Sequence, residues 1–163
     1  MAVDISTFRE TMGLFPGAVT LITTGAGETR RGITATAVCS VTDSPPSLLV
    51  CVNNRTGTCQ EIARSGHFSV QLLGQGHADV AMAFAGAQGQ SGLEKFAIGT
   101  WSSCPRGLPR LDGALASISC EVATATEAGS HTVFIGRIED VVLAGGEALV
   151  FARSKFHRLA CVA

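Results

Sequence analysis

The stretch that decides the fold class is Gly32-Ile33-Thr34-Ala35-Thr36-Ala37-Val38-Cys39-Ser40-Val41-Thr42-Asp43-Ser44-Pro45-Pro46-Ser47-Leu48-Leu49-Val50-Cys51-Val52-Asn53. Its first half mixes small and β-branched residues, as in a strand that another group approaches closely. In an extended chain alternate side chains share a face. Thr34, Thr36 and Val38 are therefore expected on one side, and Ala35, Ala37 and Cys39 on the other. Pro45-Pro46 cannot continue a hydrogen-bonded ladder and marks a turn. Ser47 to Asn53 then reads as a buried strand, with Leu48 to Val52 as its apolar run. From Gly32 to Asn54, 23 residues carry one charge, Asp43.

Outward from this core, both flanks are rich in short strands. Thr7-Phe8-Arg9-Glu10 has capping-box spacing and predicts a short helix, stopped by Pro16-Gly17. Ala18 to Thr24 reads as a strand, with a turn at Gly25-Ala26-Gly27-Glu28. On the other side, Thr58-Cys59-Gln60-Glu61 has capping-box spacing, so a helix is expected from Thr58 to just before Gly66. Phe68 to Leu73 is a predicted strand and Ala78 to Ala85 a predicted helix. Leu111 to Thr126 and Thr132 to Leu143 read as long antiparallel strands. Ala148 to Ala152 is the last predicted strand, and Lys155 to Leu159 a terminal turn. Many short strands with few helices predict a closed or partly open antiparallel barrel.

Composition narrows the function classes. The 163 residues form a single expected domain, 1–163; 46% are hydrophobic and 15% charged. Globular chains average about 25% charged, and a well-soluble surface is roughly 25–35% charged. Part of this surface is therefore expected to face a second subunit or a ligand. Net charge is −1, with ten Arg and two Lys scattered along the chain. Duplex nucleic acid needs a cationic footprint, and single strands need aromatic platforms. One Trp, no Tyr and isolated Phe supply neither, so no nucleic-acid partner is expected.

Asp4, Arg9 and Glu10 break up any secretory leader, and Asp43 with Pro45-Pro46 breaks the longest low-charge run. No membrane span is expected. The six cysteines include no Cys-x-x-Cys pair and no zinc spacing, so no metal site is expected. Cys39, Cys51 and Cys120 read as small core hydrophobes of a reduced, cytoplasmic protein. A dinucleotide fingerprint, a P-loop, H-E-x-x-H and a nucleophile elbow are all missing. Any chemistry is expected to come from a bound cofactor.

Four segments are candidates for function. The small-residue strand from Gly32 to Ser40 lets a flat ring approach its backbone; a strand packed tightly under a helix is the alternative. Asn53-Asn54-Arg55-Thr56-Gly57-Thr58 joins a strand to a helix N-terminus, which favours an anion. Ordinary helix capping is the alternative there. Gly129-Ser130-His131 brings a histidine to a strand end, where barrel mouths lie; alone it reads more readily as a rim residue. Phe151-Ala152-Arg153-Ser154-Lys155-Phe156 follows a short strand with cations and aromatics, or is simply a solvated turn.

Taken together and in this order, these segments resemble the short-chain flavin reductase family, which supplies reduced flavin to two-component monooxygenases. The signature-like phrase is 32–53, helped by Lys95-Phe96 and by His131-Thr132-Val133-Phe134-Ile135-Gly136, with likeness from about Phe8 to Leu159. The resemblance implies a mainly β protein with a few short helices, an FMN-binding split β-barrel of Greek-key topology. It also implies a homodimer with FMN, or FAD, between the subunits and NADH or NADPH as hydride donor.

On that likeness Thr34, Ala35, Thr36 and Ala37 would border the isoalloxazine ring. Ser40, Asn53, Arg55, Thr56 and Thr58 would hold the ribityl chain and phosphate. His131 would be the catalytic-site residue beside the nicotinamide, with Phe84, Arg153 and Phe156 closing the pocket. The chain departs from the pattern at Cys59, where relatives often have His, and at Phe156, where they have Tyr. The implied activity is hydride transfer from NAD(P)H to flavin, with a monooxygenase as functional partner. A non-catalytic flavin- or haem-binding carrier or sensor is the rival expectation.

Overall fold

The computed structural model describes residues 2–162. Helix α1 covers Ile5–Gly13, followed by strands β1 (Gly17–Ala18), β2 (Thr20–Thr24) and β3 (Arg31–Ala35). Strands β4 (Val38–Asp43) and β5 (Pro46–Asn53) precede helix α2 (Gly57–Ser65) and strand β6 (His67–Leu72). Helix α3 is Ala78–Phe84, and a 3-10 segment runs over Gly92–Ala97. Strands β7 (Trp101–Ser103), β8 (Pro109–Leu111), β9 (Ala116–Ala128), β10 (His131–Leu143), β11 (Val150–Ala152) and β12 (Lys155–His157) complete the chain.

Seven strands form one antiparallel sheet in the order β3-β2-β6-β9-β10-β5-β4. Strands β3 and β4 follow each other in sequence yet occupy its opposite edges. Only Thr36 and Ala37 separate them, so the sheet must curl until its edges meet there. The sheet does not close along its length, and the architecture is a split barrel. The Gly32–Ser40 segment, expected as one continuous strand, is therefore two edge strands with a break at Thr36-Ala37. The Val38 N–H bonds back to the Thr36 carbonyl at 3.0 Å, a three-residue turn that ends the simple alternation of faces.

From Leu48 onward the burial in β5 alternates. Leu48, Val50 and Val52 point into the barrel at 4% exposure or less, whereas Leu49, Cys51 and Asn53 lie half-buried on the outer face. The interior holds Ile22, Phe68, Val70, Cys120 and Phe134, capped by Ile62 and Cys59 of α2. Strand β2 is buried on both faces, and Leu21 points outward into a second core with Val80, Ala83 and Phe84 of α3. The Phe84, Phe96 and Trp101 rings pack edge-to-face or tilted in that second core, with centroids 4.9–5.4 Å apart.

Close packing inside the barrel depends on Gly136 of β10. A Cβ there would stand 2.5 Å from the Phe68 ring and 2.7 Å from the Cys120 Cβ. Overpacking of this kind costs about 1–3 kcal/mol. Gly136→Ala is therefore expected to lower unfolding free energy by that amount in urea titration. A change within about 0.5 kcal/mol, as at ordinary surface sites, would show that the barrel yields at no cost.

Several local expectations are corrected. Helix α1 is capped by Asp4, whose carboxylate accepts the Thr7 N–H at 3.0 Å, so the Thr7/Glu10 capping box is not used. Helix α2 starts one residue before Thr58, because Thr56 is the cap and accepts the Cys59 N–H at 3.2 Å. Glu61 pairs with Arg64 at 2.6 Å instead of reaching back. The terminal Lys155–His157 is a strand hydrogen-bonded to β11, because Arg153 and Ser154 both adopt positive φ and make a tight hairpin turn. Cys39 is exposed and Cys51 half-buried; only Cys120 of the three is a core residue. The reason is position: β4 is an uncovered edge strand, and Cys51 lies on the outer face of β5, away from the barrel interior. Burial pushes the Cys120 thiol up to about 12, so it is inert as a nucleophile.

Candidate functional site

The site lies where the two sheet edges meet. Thr34 is pinned through its hydroxyl, which donates to the Ala81 carbonyl at 2.6 Å. Thr20 Oγ1 donates to the Ala35 carbonyl at 2.6 Å, and the Cys51 N–H donates to the Ala37 carbonyl at 3.1 Å. The segment is thus held from both sides while its small side chains leave open space. Behind it, Gly32 lets the Phe84 ring approach: a Cβ would sit 2.6 Å from that ring.

Two cavities flank this segment and share Thr34, Ala35, Thr36 and Ala85 as walls. The first, about 280 Å³, is apolar and is closed by Met82, Phe151 and Phe156. The second, about 430 Å³, adds Ala37, Asn53, Thr56, Phe84, Lys95 and His131. Asn53 and His131 face one another across β5 and β10. The His131 ring Nδ1 and the Ser130 hydroxyl are 2.9 Å apart, and His131 is exposed on the rim.

The loop after β5 is ordered by its own side chains. Asn53 Oδ1 accepts the Arg55 N–H at 2.9 Å, and Thr56 Oγ1 donates to the Asn53 carbonyl at 2.8 Å. The first N–H groups of α2, which no helical carbonyl can reach, lie at the end of this loop. Together with the positive dipole end they favour an anion.

The sequence-based candidates divide accordingly. Thr34, Ala35, Thr36, Ala37, Asn53, Thr56, Phe84 and His131 come together around the larger cavity, and Phe156 around the smaller. Thr58 is buried at 2% exposure and lines neither. Ser40 sits on the exposed part of β4, and Arg55 is exposed in the loop; neither lines a cavity wall. Arg153 occupies the β11–β12 turn, where its N–H donates to the Gly13 carbonyl at 2.8 Å.

Two cations were not singled out as site residues by the sequence reading. Lys95 projects its ammonium into the larger cavity, bonding the Phe84 carbonyl at 3.0 Å and the Gly32 carbonyl at 3.4 Å. It forms no ion pair among the described residues. Desolvation alone lowers its pKa from the usual lysine value. Arg31 opens β3 and packs along Gly57, its Nε 3.4 Å from where a Cβ would stand at the start of α2. The available signals were that Lys95 is one of only two lysines and that Arg31 directly precedes the small-residue strand.

Known proteins share this fold. The model of the flavin reductase like domain matches residues 12–160. The 4-hydroxyphenylacetate 3-monooxygenase reductase component of Pseudomonas aeruginosa is 41% identical over 155 residues, 94% of this chain and 91% of that protein. FMN reductase (NADH) RutF of Methylorubrum extorquens is 39% identical over 158 residues, 96% of this chain and 76% of that protein. Among solved structures, flavin reductase PheA2 in its native state superposes with a TM-score of 0.89 at 33% identity, covering 98% of this chain and all of that one. The NADH:FAD oxidoreductase SgcE6 of Streptomyces globisporus, in complex with NAD and FAD fragments, does so with a TM-score of 0.88 at 30% identity, covering 98% and 97%. A family match spanning most of the chain, with relatives near 40% identity along its length, places this split barrel in the flavin reductase-like family.

Proposed function

We propose that this protein is an NAD(P)H:flavin oxidoreductase that reduces FMN, or FAD, and passes the reduced flavin to a partner monooxygenase. The observation that carries this reading is the larger cavity. It has small-residue walls, an anion-favouring loop at one end, and a half-buried ammonium with no carboxylate partner among the described residues. The ammonium is bonded only to neutral carbonyls, so a ligand with negative charge is favoured in the cavity. The names of the relatives and the NAD and FAD fragments bound to SgcE6 point to the same ligands.

Flavin held there would supply the redox chemistry, as a hydride acceptor for reduced nicotinamide. The chain's own work is positional. Ala35 and Ala37 allow close approach of a ring to the backbone. Asn53, Thr56 and the α2 N-terminus hold a phosphate, with Arg55 and Arg31 adding positive charge nearby. His131 borders the mouth where the nicotinamide would enter. Phe151 and Phe156 cover the adjoining apolar cavity and exclude water.

A homodimer belongs to this reading. Helix α1 buries none of its residues and exposes Ile5, Phe8 and Met12, and edge strand β4 exposes Val41. Uncovered sheet edges are normally protected in monomers. A reduced, cytoplasmic setting accords with six unpaired cysteines. No helix among the described residues is long and apolar enough to cross a membrane.

The test is nicotinamide oxidation with FMN or FAD, using NADH and NADPH in turn, with light scattering at micromolar protein. A flavin-dependent rate from a dimer is expected. No flavin-dependent rate with either nicotinamide would overturn the activity. A tightly held flavin that NADH does not bleach would make the protein a carrier. A monomer would overturn the assembly.

A further inference from the structure

His131 sits at the tip of the β9–β10 ribbon, where 123–131 are exposed and the barrel core gives no support. Its pairing with β5 ends at the His131–Asn53 match. Beyond that point one residue, Asn54, ties the tip down. Its N–H donates to the Ser130 carbonyl at 3.0 Å, and its Nδ2 donates to the Gly129 carbonyl at 3.3 Å. Its Oδ1 accepts the Thr132 hydroxyl at 2.8 Å and lies 3.9 Å from the Cys59 Sγ. Asn54 thus holds residues on both sides of His131, yet it lines neither cavity beside Thr34–Thr36.

Asn54 is also part of the loop that begins at Asn53 and ends at the Thr56 cap. We propose that Asn54 is a positioning residue that couples the anion loop to His131. Occupancy of the loop by a phosphate is transmitted through Asn54 to the turn carrying the histidine. This rests on the flavin reductase reading for the identity of the ligand. The reasoning is mechanical. A ribbon tip without core contacts opens readily, and a side chain using both its donor and its acceptor on that tip closes it. Coupling of this kind is reciprocal, so ordering the tip must also favour occupancy of the loop.

The variants are Asn54→Ala, which removes both side-chain bonds, and Thr132→Val, which removes only the hydroxyl donor. The first readout is amide hydrogen exchange over 129–132 in ligand-free protein, with β6 as the internal standard for folding. Exchange is expected to rise about tenfold in Asn54→Ala and less in Thr132→Val, with β6 unchanged. Unchanged exchange at the turn in Asn54→Ala would overturn the clamp. The second readout adds FMN. Slowed exchange over 129–132 is expected in the wild type and is lost in Asn54→Ala under FMN saturation. Equal slowing in both, or none in the wild type, would overturn the coupling. In steady state Asn54→Ala should raise KM for the nicotinamide and for FMN together, although Asn54 lines neither cavity. A rise confined to FMN would reduce Asn54 to a loop residue. Failure of the wild type to bind FMN would remove the flavin reading, while ligand-free exchange would still decide the clamp.

Discussion

Ala37→Trp is expected to weaken flavin binding at least about 100-fold while leaving the fold intact. Ala37 is the central residue of the turn that carries the chain from one sheet edge to the other, with the Val38 N–H bonded to the Thr36 carbonyl. It is exposed on the cavity wall, so a larger side chain meets no core atom. Exposed substitutions of this type usually change stability by less than about 0.5 kcal/mol. An indole at this position would occupy the space assigned to the ring, and nothing on the wall can retreat to admit both. Thr34 is tied to the Ala81 carbonyl and Ala35 to Thr20. Flavin fluorescence titration measures the affinity and urea unfolding the stability. A Kd within about threefold of the wild type would move the flavin out of this cavity.

Lys95→Met is the second large effect. It keeps the aliphatic stem and removes the ammonium that bonds the Phe84 and Gly32 carbonyls inside the larger cavity. Hydrogen bonds to charged groups contribute about 1.5–3 kcal/mol, which is roughly ten- to a hundredfold in affinity. The loss should fall more heavily on reduced than on oxidised flavin, because the reduced ring carries the added negative charge.

The pH dependence has a definite sign. Burial lowers the Lys95 pKa in the free protein, and an anionic ligand raises it again. Binding therefore takes up protons in the window between those two values, at and below the usual lysine range. Affinity must fall as pH rises through it. Lys95→Met should flatten that dependence. Equal, pH-independent affinity of wild type and variant for both flavin redox states would show that the ammonium serves only the two carbonyls.

Much of the scaffold was legible locally. Alternating burial in β5, the strand at Phe68, the helix from Ala78 and the Asn53–Thr56 loop all follow from side-chain period and turn chemistry within a few residues. Cys39 misled because its apolar neighbours are on an edge strand, and edge position is a property of sheet order. The Lys155–His157 strand was missed because its hairpin depends on positive φ at Arg153 and Ser154, which neither residue type advertises.

The site itself divides along the same line. The sequence determined which segments carry small walls, anion-favouring donors and a strand-end histidine, because those are properties of residue type and short spacing. Tertiary structure alone decided that they meet. The curled sheet brings its two edges to Thr36-Ala37, and the ribbon β9–β10 returns His131 to Asn53 from 78 positions away. It also decided that Lys95 is half-buried with no carboxylate partner among the described residues, and that Thr58 is sealed in the core. Burial and charge compensation are set by neighbours distant in sequence, and no local pattern encodes them.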